Sequence, residues 1–290
     1  MVNPLRQKLG PGLYFLATPI GTARDITLRA LDLLTSADVI AAEDTRSMRR
    51  LMEILGIALG DRPLLAYHDH NGAKARPRLL AYLGEGKSVA YASEAGSPMI
   101  ADPGFDLARA ARAEGYNVTS APGASAVITA LTLAGLPTDK FFFNGFLPNA
   151  SGQRKTALRA LKDVPGTLVF YESPKRGAAM LRDAGEVLGG TRQAAVCREL
   201  TKKFEEVLNG DLDTLALVCG ERSLKGEIVV LIDRAGLINI SESDLEVAVM
   251  NALETMTVRD AADAVSTELG MPRRQVYQLA LKLDAQTNDD

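Results

Sequence analysis

Seven short segments combine charged, hydroxyl or imidazole side chains with turn-forming residues, and each follows a run that reads as a β-strand. They are TPIG at 18–21, EDTR at 43–46, HDHN at 68–71, EAGSP at 94–98, PGAS at 122–125, YESPKR at 171–176 and RELTKK at 198–203. Any one of them can be a plain turn, since glycine and proline punctuate every α/β fold. Seven at the carboxyl ends of strands point to a site, because open parallel sheets bind ligands beyond those ends. Glu43 and Asp44 supply carboxylates that can accept a proton, and His70 can do so by its intrinsic pKa. Arg46 can grip a phosphate through paired hydrogen bonds, or merely pair with Asp44 and cap the next helix. Gly96 lacks a Cβ and lets backbone approach a ligand closely. Ser125 and Ala126 stand where a helix begins, so amides there can receive a carboxylate. Ser125 can equally be only an N-cap, and Pro98 only a turn residue.

Two standard signatures are missing. No Gly-x-Gly-x-x-Gly follows the first strand, and no Gly-x-x-x-x-Gly-Lys-Ser/Thr occurs anywhere, which argues against the usual dinucleotide fold, the usual Rossmann-type methyltransferase and P-loop NTPases. The only histidines, His68 and His70, alternate in one loop. Their spacing places no third metal ligand, so structural or RNA-contacting roles outrank metal ligation and no metal is expected.

The elements that position these loops repeat one theme, a short apolar run and then an amphipathic stretch. Strands are expected at Leu13–Thr18, Asp38–Ala42, Leu64–Tyr67, Ser88–Ala92 and Asn117–Ala121, with helices between them. After Pro122-Gly123 come a helix, strand Phe141–Phe146, a helix, strand Thr167–Tyr171, a helix to about Leu188, and strands at Ala194–Arg198, Phe204–Leu208 and Glu227–Ile232. Such alternation predicts two α/β domains, each with a largely parallel sheet, over residues 1–122 and 123–236. From Ser241 the strand signals stop, and 237–290 reads as a segment of short helices.

Whole-chain properties bound the rest. The chain has 290 residues, 47% of them hydrophobic, enough for sizeable cores. Its two cysteines read as reduced thiols of a cytoplasmic protein. The N-terminus has no signal-peptide pattern, and no stretch approaches the ~20 apolar residues of a membrane helix. A net charge of -3 excludes a bulk polyanion binder, so nucleic-acid contact must use local basic clusters. Absence of Trp and an aromatic content of 5% argue weakly against a surface that stacks many bases.

Eight longer motifs run in order over nearly the whole chain: ATPIGTARDITLRAL at 17–31, VIAAEDTR at 39–46, YHDHN at 67–71, SEAGSPMIADPG at 93–104, APGASA at 121–126, FYESPKR at 170–176, RELTKKFEE at 198–206 and KGEIVVLI at 225–232. Together they resemble the tetrapyrrole (precorrin-type) methylase superfamily, in its branch that methylates RNA of the small ribosomal subunit. The resemblance implies two α/β domains of tetrapyrrole-methylase type with S-adenosyl-L-methionine in the cleft between them, a homodimer, and 2′-O-methylation of a cytidine ribose in the decoding region of 16S rRNA. On this reading Pro19, Glu94, Ala95, Gly96, Ser97, Pro98, Ile100, Ser125, Ala126 and Glu172 bind the cofactor. Arg46, Arg49, Asn71, Lys175, Arg176, Glu199, Lys202 and Lys203 meet the RNA, and the proton goes to Glu43, Asp44 or His70, or to a water with no protein base. The chain departs from the family pattern at Glu94, Ser97 and Thr22, where Asp, Thr and Asn are commoner. Backbone contacts survive all three changes, whereas a side-chain contact by Glu94 is displaced by a methylene.

Methyl transfer from a sulfonium is an in-line displacement, so holding the attacking oxygen against the methyl carbon accounts for much of the catalysis. Basic clusters at Arg46, Arg49 and Arg50, at Lys74, Arg76 and Arg78, at Arg154 and Lys155, at Lys175 and Arg176, at Lys202 and Lys203, and at Arg273 and Arg274 can track phosphates if they face the cleft. The helical tail can support nucleic acid or serve as a packing or dimerisation appendage. Two alternatives stand beside the methylase reading: a relative acting on a tetrapyrrole or a protein side chain, and a non-catalytic ribosome-assembly factor. The intact loops around Gly96, Pro98 and Ser125 argue against the last.

Overall fold

The computed structural model describes residues 4–68, 71–101, 104–222, 224–235, 242–269, 271 and 273–288. The first five strands are β1 (Gly12–Leu16), β2 (Val39–Ala42), β3 (Leu64–Ala66), β4 (Ser88–Ala92) and β5 (Val118–Ala121). They form one sheet in the order β3-β2-β4-β1-β5 with every pairing parallel. A parallel neighbour needs a crossover, and the amphipathic runs supply it. These are α1 (Leu28–Ser36), α2 (Thr45–Ile54), α3 (Gly72–Gly84) and α4 (Phe105–Ala113). Strand parity splits the core into two layers. Leu16, Ile40 and Ala90 meet α1 and α2 on one face. Leu13, Val39 and Val89 meet α3 and α4 on the other.

The second sheet holds β6 (Phe141–Phe146), β7 (Thr167–Glu172), β8 (Gln193–Arg198), β9 (Glu206–Asp211) and β10 (Ile228–Ile232), in the order β6-β7-β10-β8-β9. This sheet is mixed, not largely parallel as its strand-helix alternation predicts. Only β6 and β7 run parallel, while β10 lies antiparallel to β7 and β8, and β8 antiparallel to β9. The stretch 199–205 between β8 and β9 is too short for a crossover, which takes a dozen or more residues, so the chain must reverse.

One face of this sheet is covered by α6 (Ser151–Ala160), α7 (Pro174–Leu188) and α8 (Leu212–Glu221). The sequence reading has no helix at α8. Its start is marked by Asp211, whose carboxylate accepts from the Thr214 amide at 2.7 Å as an N-cap. The opposite face receives α5 (Ala126–Leu133), through Val127, Ala130 and Leu131 against Val169, Ala195, Val229 and Leu231. Ile20, from the loop after β1, joins that same cluster, so the two domains share a seam.

Arg154 belongs to this architecture rather than to a basic surface. It is buried, and its guanidinium meets Asp183 at 2.6–2.7 Å. Ser151 completes the cluster by donating to Asp183 at 3.0 Å. Arg154→Ala leaves the buried Asp183 carboxylate with only the more distant Lys155, 3.6 Å away, and is expected to cost ~3–5 kcal/mol in denaturant unfolding. A loss below ~1 kcal/mol, the range of exposed pairs, would contradict this burial.

The tail folds as α9 (Glu242–Leu253), α10 (Val258–Leu269) and α11 (Arg273–Asn288) around a core of its own, with Leu245, Val249, Ala262, Val265, Val276 and Ala280 at its centre. Arg273 pairs with Asp263 and is not a free cation. No described helix is long and apolar enough to cross a membrane.

Candidate active site

The loops at the carboxyl ends of the first sheet are tied to one another before they meet any ligand. Thr18 and Gly96 exchange backbone hydrogen bonds at 2.9 and 3.0 Å, and the Thr18 hydroxyl donates to the Ser93 carbonyl at 3.2 Å. Gly96 sits at φ +83, and an added Cβ would lie 3.2 Å from Ile20 Cγ2. Two non-glycine residues of the same loop, Met99 and Ala101, are also left-handed, at φ 68 and 56. Strain of this kind persists only where the surroundings over-determine the backbone. Ser97 extends the tie by donating to the Ala124 carbonyl at 3.1 Å, which binds the loop to the entrance of α5.

That entrance opens on the cleft. Ser125 holds the N-cap position at φ -146 without a side-chain capping bond. The Tyr171 hydroxyl lies against the Val127 amide, and burial, with the nearby Glu227 charge, pushes its pKa up. From the second domain, Lys202 bonds Glu199 at 3.0 Å and Glu227 at 2.7 Å. The Glu227 amide donates to Glu199 at 3.0 Å. Burial pulls the Lys202 ammonium down, but its two carboxylate partners outweigh this and raise it, so it stays charged at neutral pH. Burial pushes Glu199 up, and its bonds to Lys202 and the Glu227 amide more than reverse that.

Between these walls lies a cleft of about 590 Å³. Pro19, Glu43, Glu94 and Ile100 line one side, and Phe146, Tyr171, Lys202 and Glu227 the other. A narrower chamber of about 350 Å³ adjoins it, walled by Ile20, Ala95, Ala126, Glu172, Leu200 and Val229. Glu172 is buried; its Oε1 accepts from the Ser173 amide at 2.8 Å. Its Oε2 has Arg176 Nη2 3.0 Å away, yet the angles leave that oxygen without a hydrogen-bond partner.

Most of the expected cofactor residues thus converge, namely Pro19, Glu94, Ala95, Ser97, Ile100, Ser125, Ala126 and Glu172. Gly96 stands behind them as part of the Thr18 clip. Pro98 turns to a separate hollow beside Met99 and Phe105. Of the expected proton acceptors, Glu43 lines the cleft. Asp44 caps α2 through the Arg46 amide at 2.7 Å and pairs with the Arg46 guanidinium at 2.8 Å. These bonds hold its pKa down to about 2. His70 lies outside the described residues.

The expected RNA contacts divide. Asn71 is committed to its own turn, accepting from the His68 amide at 2.8 Å and donating to the Ala66 carbonyl at 3.1 Å. Arg176 points inward, to Glu172 and to the Leu147 carbonyl at 2.7 Å. Lys202 and Glu199 sit at the cleft rim in the ion triad. Arg46, Arg49, Lys175 and Lys203 are exposed. Among the described residues, no group of three or more His, Cys, Asp or Glu is arranged to hold a metal.

Tyr171, Phe146, Glu227 and Ile20 line the site without having been expected there. Tyr171 and Glu227 fall inside motifs already singled out, and Tyr171 shares the strand parity of the α5-facing Val169. Phe146 ends an apolar run that reads as core.

The family model described as Tetrapyrrole (Corrin/Porphyrin) Methylases matches residues 12–216, which takes in strands of both sheets. The class is therefore a methylase fold with its cleft between two α/β domains. A second model, the RsmI C-terminal HTH domain, matches residues 240–284, the three tail helices. Among solved structures, diphthine synthase aligns with a TM-score of 0.59 at 14% identity, over 76% of this chain and 90% of its own. Uroporphyrin-III C-methyl transferase from Thermus thermophilus, complexed with S-adenyl homocysteine, aligns with a TM-score of 0.55 at 19% identity, over 77% and 98%. At such identities the likeness concerns the fold. The sequence relatives are far closer. Ribosomal RNA small subunit methyltransferase I of Mesorhizobium japonicum is 45% identical over 276 residues, covering 95% of this chain and 93% of the relative. The protein of that name from Escherichia coli O157:H7 is 41% identical over 279 residues, covering 93% and 94%. The chain belongs to the ribosomal RNA small subunit methyltransferase I family.

Proposed function

We propose that the protein transfers a methyl group from S-adenosyl-L-methionine to the 2′-oxygen of a cytidine ribose in the decoding region of 16S rRNA, acting as a homodimer on the small ribosomal subunit. The observation that carries this reading is the two-part cleft, a narrow apolar chamber opening into a wider, charged mouth. Its residues fit the donor. The α5 amides beside Ser125 and Ala126 can receive the carboxylate of the methionine end. Glu172, ion-paired to Arg176, adds a negative wall that favours the donor's positive charge. When bound, the donor supplies an electrophilic methyl carbon.

The chain's own residues do the rest. Ile20, Leu200 and Val229 exclude water from the chamber. Lys202, held charged by its two carboxylates, faces the mouth where a ribose-phosphate would lie. Glu43, which lines the same mouth, takes the hydroxyl proton on this reading. Asp44, held down at about 2, is a poor acceptor at neutral pH. Exposed Arg49, Lys175 and Lys203 add phosphate contacts, so binding should weaken with salt.

Incubation with labelled S-adenosyl-L-methionine and unmethylated small subunits is expected to place label on a cytidine 2′-oxygen. Label on a base atom, or on no RNA, would refute the assignment. In the same assay Glu43→Gln is expected to lower kcat by ~10²–10⁴-fold, the usual contribution of a positioned base. Asp44→Asn keeps a capping side chain and should stay near wild type. The reverse order would move the proton acceptor to Asp44.

A further inference from the structure

The second sheet carries one irregularity, and it lies at the cleft. Along the β6-β7 pairing Phe143 matches Val169, but Gly145 matches Phe170 and Phe146 matches Tyr171. Asn144 is therefore an extra residue, a bulge, with Gly145 left-handed at φ +73. In a regular strand Phe143 and Phe146 would point to opposite faces. The inserted residue puts both on the face of Tyr171, whose ring lies 4.9 Å from Phe143 and 5.8 Å from Phe146. Bulges beside active sites commonly re-aim a side chain in this way.

The re-aimed ring is not core. Phe146 is 58% exposed and lines both the chamber and the mouth. The loop that follows it is held from beneath by two arginines. Arg176 donates to the Leu147 and Pro148 carbonyls and to the Asn149 side chain. Arg154 donates to the Asn149 carbonyl at 3.0 Å. Each arginine is anchored in turn by a buried carboxylate, Glu172 or Asp183. An open aromatic ring on so firmly tied a support is the arrangement of a preorganised stacking surface, since little further ordering is needed when a planar ligand arrives.

We propose that Phe146 is the platform on which the base of the target nucleotide stacks. The inference rests on the RNA-methylating reading above. A nucleotide that leaves the RNA stack to enter this cleft loses its base stacking, and an aromatic ring at the mouth can replace it. Phe146 offers a π-face at the mouth, across the cleft from Glu43 and Ile100. Such stacking is tolerant of base identity, so the ring sets how firmly the nucleotide is held rather than which one is chosen.

The test compares wild type with Phe146→Ala, Phe146→Leu and Phe146→Tyr, on unmethylated small subunits at saturating S-adenosyl-L-methionine. Removing the ring in the Ala and Leu variants is expected to raise KM for the subunit about tenfold or more, and Tyr should restore it. The oligomeric state, read by sedimentation, should be unchanged in all three, and the cofactor Kd, read by calorimetry, should move far less than the subunit KM, since the ring also edges the chamber. A wild-type KM in Phe146→Ala overturns the proposal. So does Leu restoring function as well as Tyr, which would mean that bulk alone matters. A cofactor Kd weakened as far as the subunit KM would reassign the ring to the donor's adenine, and a changed oligomeric state would reassign it to a contact between copies. If wild type itself labels no RNA, the functional reading fails and the platform with it; if wild type labels RNA normally, only the platform is at stake.

Discussion

Gly96→Val is expected to weaken S-adenosyl-L-methionine binding by at least about 100-fold, while the far-ultraviolet circular dichroism stays native. Two costs combine at this position. The backbone is at φ +83, where a β-branched residue is a genuine outlier. A Cβ would also press on Ile20 Cγ2 at 3.2 Å, and the two further carbons of valine extend the clash. Gly96 cannot relax by drifting, because both its amide and its carbonyl are bonded to Thr18. The strain must pass to Ile20 and Ala95, which wall the chamber. The sheet beneath keeps its own hydrogen bonds, so the damage stays local. Calorimetric titration of the folded variant reads the effect. An unchanged Kd would put the donor elsewhere.

Gly21→Val is expected to lower kcat by about 100-fold through the seam between the domains. A Cβ at Gly21 would lie 2.5 Å from Thr201 Oγ1, 2.6 Å from Lys202 Cγ and 2.9 Å from the Leu200 carbonyl. The first two can swing aside; the carbonyl belongs to a backbone that cannot. Its neighbours Glu199 and Thr201 are left-handed non-glycine residues, at φ 50 and 61, so the turn is already strained and held by its surroundings. The domains must part slightly, carrying Lys202 and Glu227 away from Glu43. A displacement near 1 Å is enough to cost ~10²-fold in an oriented displacement. Gly152→Ala is the control. Gly152 lies in the first turn of α6 with no atom within 4 Å of an added Cβ, and it should be active and no less stable. Hydrogen exchange should rise in 199–202 of Gly21→Val and not in the control. Wild-type turnover in Gly21→Val would show that the seam does not govern the reaction.

Particular residues show where reading the sequence succeeds and where it stops. LYFLAT, DVIAA and SVAYA lie in the first sheet within a residue or two of their expected bounds, because a strand buried on both faces needs a continuous apolar run. The helix at LDTLALVCGE escapes notice, since a short, largely apolar helix has no clear period and its Asp211 cap resembles a turn. Arg154 and Arg176 have the same letters as Arg49, yet they are drawn inward by Asp183 and Glu172, which stand many residues away or at a strand end. Asp44 and Glu43 are neighbours in one motif, and only the packing shows one capping a helix while the other lines the cleft.

Local chemistry alone determined the two α/β domains, the helical tail, and the polar or glycine- and proline-containing loops that follow the first five strands. Those features depend on residues a few positions apart, whose periodicity and turn preferences act within one element. Tertiary structure alone decided that the second sheet is mixed, that Phe146 and Tyr171 share a face, and that Lys202 sits between Glu199 and Glu227 across from Glu43. Each of these turns on strand register or on contacts between segments far apart in the chain. A one-residue bulge is enough to reverse which way a side chain points.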